Sequence, residues 1–96
     1  MTTPRNAATA TIDAQNEWTS WLPVPAGAVV DISLTGVASS TVTLQRRFDG
    51  STALDVDTFT AVAQVQYEAG AAQELRIGVK TGAYGSDTIA AALYVG

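Results

Sequence analysis

Apolar and polar residues alternate along most of this chain with a period of two. Val30, Ile32 and Leu34 face one way, with Asp31, Ser33 and Thr35 facing the other. Val42, Leu44 and Phe48 likewise oppose Thr41, Thr43, Gln45 and Arg47. Leu75, Ile77 and Val79 alternate with Glu74, Arg76, Gly78 and Lys80, and Ile89, Ala91, Leu93 and Val95 line one side of a last segment. This is the period of a strand with one face on a core and the other toward water. It predicts a first strand-like segment that starts at Thr9, runs through Trp18 and closes at Pro23 and Pro25, then strands over 29–35, 41–48, 54–59, 61–67, 74–80 and 89–95. Prolines at alternate positions cannot donate to a central ladder, so that segment belongs on an edge. No segment keeps a helical period, apart from room for a turn near Ala69–Ala72. The fold class is therefore all-β: a single small antiparallel β-sandwich, or small barrel, of about seven short strands. Residues 1–8 show no period and read as a flexible N-terminal arm, with the β-sandwich domain over 9–96.

The stretch Thr41–Val56 makes the strongest local statement. Asp49-Gly50 between two alternating runs is a hairpin signal, because such turns need positive φ. Opposed residues of an antiparallel pair share a face, so register follows from matching apolar positions. Pairing Phe48 with Leu54 does this, leaves Asp49–Ala53 as the loop, and sets Arg47 opposite Asp55 and Gln45 opposite Asp57. Arg46 then shares the apolar face and is expected to lead its guanidinium out at the sheet end.

Composition narrows the chemistry. Ninety-six residues make one domain. Apolar residues form 47% of the chain, too many for disorder, while charged ones form only 15%. So lightly charged a surface suits a protein that packs against others. The net charge of −4 argues against nucleic acid as a partner. No window is apolar enough to cross a membrane, and Met1–Asn6 lacks a signal-peptide core. The expectation is a soluble protein made in a cytosol. With no His and no Cys, the chain lacks the commonest general base, soft metal ligands and any thiol nucleophile. Asp49, Asp55 and Asp57 cluster around the hairpin, but their spacing departs from the EF-hand loop, and turn chemistry explains Asp49. The expectation is no enzyme, no cofactor and no metal.

Interface candidates remain. Trp18 and Trp21, three apart, point to opposite faces of a regular strand, exposing one ring as an anchor or sugar-stacking platform. The alternative is that the proline-rich end twists both rings over the same edge. Tyr84, at the tip of the 81–87 loop, is either packed into that loop or a contact point. Arg46 is either a rim residue or an anchor into a neighbouring subunit, and Arg47 lies beside it.

These segments together carry a resemblance. Trp18 through Pro25, Val30-Asp-Ile-Ser-Leu-Thr-Gly36, Thr41-Val-Thr-Leu-Gln-Arg-Arg-Phe-Asp-Gly50, Leu75-Arg-Ile-Gly-Val-Lys-Thr-Gly-Ala-Tyr84 and Ser86-Asp-Thr88 resemble small β-sandwich proteins of tailed bacteriophages. The likeness covers residues 17–95. It departs at Arg47, Ser51, Leu54 and Asp87, where that group often has Ser, Gly, Trp and Gly. It implies a virion structural protein, made in the host bacterial cytoplasm: a capsid decoration or cement protein that binds the assembled major capsid protein and stabilises the shell. It also implies a homo-oligomer, in the manner of the symmetric trimers cement proteins form at capsid axes. The alternatives are a head- or tail-fibre module recognising host glycans, or a tail or connector subunit.

Overall fold

The structure, a computed structural model, describes residues 6–95. Nine strands, all antiparallel in their pairings, form two sheets: β1 (Asn6–Ile12), β2 (Glu17–Trp18), β3 (Leu22–Val24), β4 (Val29–Thr35), β5 (Val42–Arg47), β6 (Leu54–Phe59), β7 (Ala63–Glu68), β8 (Gln73–Val79) and β9 (Ile89–Val95). One sheet runs β1-β9-β4-β7; the other runs β2-β8-β5-β6, with β3 also on β8. The all-β class and the antiparallel sandwich read from the alternation are present.

The core is the set of inward residues that the period of two selects. Val30, Ile32 and Leu34 of β4, Val42 and Leu44 of β5, Leu75, Ile77 and Val79 of β8, and Ile89, Ala91, Leu93 and Val95 of β9 are all buried. Each large side chain so buried contributes roughly 1.5–3 kcal/mol. The two sheets present these residues to each other, and among the described residues no helix takes part.

Three expectations need correction. Residues 1–5 of the expected arm lie outside the described residues, but Asn6–Ala8 do not belong to an arm. They pair with Leu93–Val95 of β9, and Ala8 is buried. Alternation was hidden there because Ala7 and Ala8 are too small and too alike to show it. Second, the segment through Trp18 is two strands on one edge of β8. Between them Thr19 breaks the ladder: its N–H donates to the Ile77 carbonyl, and its buried hydroxyl accepts from the Ile77 N–H. The count thus exceeds seven.

Third, the hairpin register differs. Arg46 pairs with Leu54 and Gln45 with Asp55, and the register shifts between Gln45 and Leu44, which pairs with Asp57. The bulge leaves Val56 as the extra residue and keeps it turned toward the core. Arg47 is therefore not opposite Asp55. Its partner is Glu74 on β8, the other neighbour of β5, at 2.7 Å. The turn itself follows expectation: Asp49 (φ 51°) and Gly50 (φ 73°) are both left-handed, and the Ser51 N–H donates to the Phe48 carbonyl.

Candidate functional site

The centre of the outer face of the β2/β3-β8-β5-β6 sheet is set by the outward positions of two neighbouring strands. On β8 these are Glu74, Arg76 and Gly78; on β5 they are Thr43, Gln45 and Arg47. Cross-strand register places Gly78 between Trp18 of β2 and Thr43 of β5. Gly78 is required there by contact. A Cβ at this position would lie 2.7 Å from Cδ2 of Trp18 and 2.2 Å from the Glu17 carbonyl oxygen. The missing side chain lets the Trp18 indole lie down on the sheet.

Trp21 joins it on the same side. The break at Thr19 interrupts the strand, so three residues of separation no longer reverse the face. The Arg76 guanidinium carbon lies 4.2 Å from the Trp18 ring centroid and 4.7 Å from that of Trp21. Arg47 lies 4.2 Å over Trp21. Two indoles and two guanidiniums thus form one cation–π cluster, with each arginine held at its polar end. The Arg47 Nε–H donates to Glu74, and the Arg76 Nε–H donates to the Gln45 amide oxygen at 2.9 Å. The Gln45 amide nitrogen then donates to Asp55, which also pairs with Lys80.

This layer explains why Thr43 and Gln45 are buried although they face outward. It also sets the electrostatics. Burial, aided by the nearby Arg47 charge, lowers the pKa of Arg76 from its ordinary value. Hydrogen bonds from Lys80 and Gln45 hold Asp55 below its ordinary value. A shallow groove continues beside the cluster to the hairpin tip, lined by Pro23, Val24, Pro25, Asp49, Ala72, Gln73 and Glu74.

Of the five residues singled out from sequence, Trp18, Trp21 and Arg47 come together in this cluster. Arg46 does not. It lies on the inward parity of β5, half-buried, with its guanidinium 5.3 Å over the Phe48 ring and a buried Nε without a hydrogen-bond partner. Tyr84 is held in its loop, where its hydroxyl donates to the Asp87 carbonyl. Burial, with the charges of Asp13, Asp87 and Glu17, raises its pKa.

Sequence reasoning passed over Arg76, Gly78 and Asp87. Parity already put Arg76 and Gly78 on an outer face, but which aromatic covers them depends on the break at Thr19. Asp87 is buried, and its Oδ2 accepts from the backbone N–H groups of Ala38, Ser39 and Ser40, while Oδ1 accepts from the Ser39 hydroxyl. The Ala38 and Ser39 N–H bonds, then those of Ser40 and the Ser39 hydroxyl, hold its carboxyl well below the usual carboxylate range against the opposing effect of burial. Asp87 clasps the β4–β5 loop to the β8–β9 loop.

Among the described residues, no group of three or more Asp and Glu side chains is arranged to hold a metal ion. Compared with known proteins, the chain matches no family model, no curated protein and no solved structure.

Proposed function

We propose that this protein is a non-enzymatic structural subunit of a tailed-phage virion. In this reading it is a capsid decoration protein that docks on the assembled major capsid protein and stiffens the shell. The observation that carries the docking role is the Trp18–Arg76–Trp21–Arg47 cluster on the outer sheet face. Trp and Arg dominate binding energy at protein interfaces. Here they are already immobilised by stacking and by Glu74 and Gln45. Ordering a free side chain on binding costs roughly 0.5–1.5 kcal/mol, so a prearranged cluster loses less on association. The phage context comes from the resemblance over residues 17–95.

A sugar-binding role would need bare indole faces, and Arg76 lies over both rings. That favours a protein partner over a glycan. The test is binding of the purified protein to assembled capsids lacking it, compared with the W21A variant. Normal binding by a folded W21A protein would remove the cluster from the reading. Copy number in purified particles tests the role itself: hundreds of copies agree with decoration, and a handful at the tail would overturn it.

A further inference from the structure

The sandwich is closed on one flank and open on the other. On the closed flank β1 packs across to β2, β3 and β8, and its inward residues Ala8 and Ile12 are buried. On the open flank β6 and β7 are joined by the short connection 60–62. Leu54 (49%), Val62 (58%) and Val65 (42%), three of the five exposed large apolar side chains among the described residues, lie on this flank. Val65 pairs with the buried Ile32 and so faces the core side, yet it remains wet.

β7 also offers an unguarded hydrogen-bonding edge. The Ala69 N–H donates to the Ala28 carbonyl, so its backbone points toward β4. Alternation then turns the N–H and C=O groups of Gln64, Gln66 and Glu68 away from β4, toward solvent. The side chains of Gln64 and Gln66 do not cover this edge; they reach back to Ser33 and Asp31 on β4. Natural edges are protected by charges, prolines or bulges. The β6 edge has Asp55, Asp57 and a bulge, and the β2/β3 edge is broken and carries Pro23. β7 pairs regularly with β4 and has a single charge, Glu68, at its end.

We infer that β7 is the docking edge for a second copy of this chain, joined by antiparallel β7–β7 pairing about a two-fold axis. The strand is complementary to itself. With Val65 on the axis, Gln64 opposes Gln66 and Ala63 opposes Tyr67. With Gln66 on the axis, Gln64 opposes Glu68 and Val65 opposes Tyr67. Both arrangements keep apolar residues on the core side and set no carboxylate against another, despite the net charge of −4 on each copy. Main-chain bonds supply affinity in such strand addition, and the apolar side chains supply register. The β1 edge lacks this incentive because its inward residues are already covered. The inference is independent of the virion reading and holds or fails without it.

Sedimentation equilibrium tests it on the full chain. The wild type should show twice the chain mass, with Gln66 amide exchange slowing as concentration rises. Gln66→Pro deletes an outward-facing donor, and Val65→Lys sets two charges together on or beside the axis. Each should give a monomer with an unchanged circular-dichroism spectrum. Thr9→Lys on β1 should leave the dimer intact. A wild type that stays monomeric up to about 1 mM would overturn the inference. So would a dimer that survives both β7 variants, or Gln66 exchange that ignores concentration.

Discussion

Asp87 accepts from both the backbone N–H and the hydroxyl of Ser39, a residue 48 positions earlier in the chain. One carboxylate thereby joins two connections that each cross from sheet to sheet, β4 to β5 and β8 to β9. Because the folded state favours the charged form, the carboxyl titrates below its unfolded value. Its contribution to stability is complete above the ordinary Asp pKa, about 3.9, and is lost as the pH falls toward the depressed folded value. Urea melts of the wild type should therefore weaken as the pH drops below about 4. The D87N variant places an amide donor among N–H donors, so it should be less stable at neutral pH and show a shallower acid dependence. Equal acid slopes for the two proteins would count against the clasp.

The Gly78–Trp18 contact predicts a packing defect from the smallest possible addition. Gly78→Ala forces a methyl into the indole and the Glu17 carbonyl, which costs roughly 1–3 kcal/mol as overpacking. Chemical denaturation should show the loss. Tryptophan emission should shift to the red as the Trp18 ring is lifted from the sheet.

Arg76 stacks on two rings, so its loss should exceed that of an isolated surface arginine. Arg76→Ala should cost about 1–2 kcal/mol, with each cation–π contact worth roughly 0.5–1 kcal/mol at a partly exposed site. A double-mutant cycle with Trp18→Ala should show a coupling energy of the same sign. Additive single effects would mean the guanidinium and indole are neighbours without attraction.

The two ion pairs should matter less. Arg47–Glu74 is about seven-tenths covered, and Lys80–Asp55 is nearly half exposed on each side. Glu74→Gln and Lys80→Ala should each change stability by no more than about 1 kcal/mol, with the difference shrinking in high salt.

Much of the fold was legible because a half-buried strand writes its inner face into every second residue. Val30, Ile32, Leu34 and the inward sets of β8 and β9 all sit where that rule puts them. The rule loses its grip where the backbone departs from regular pairing. The bulge opposite Gln45 moved the β5–β6 register, and the break at Thr19 brought Trp18 and Trp21 to one side. Arg47 exposed a further gap: a strand has two neighbours, and register within a hairpin ignores the second. Glu74, on that second neighbour, took the arginine. The Asp87 clasp depends on two distant loops meeting, which no local pattern encodes.

The position of β9 bears on how the protein is made. This strand lies between β1 and β4 and pairs with both, yet it is the last described strand to leave the ribosome. Until then β1 has no partner in its sheet, and β4 has only β7. Asp87, just ahead of β9, arrives at nearly the same moment. Completion of this sheet should thus wait until synthesis of the domain is nearly finished, with non-local pairings that close slowly. During that interval the nascent chain carries unpaired apolar strands, and its exposure to chaperones or to other nascent copies is greatest then.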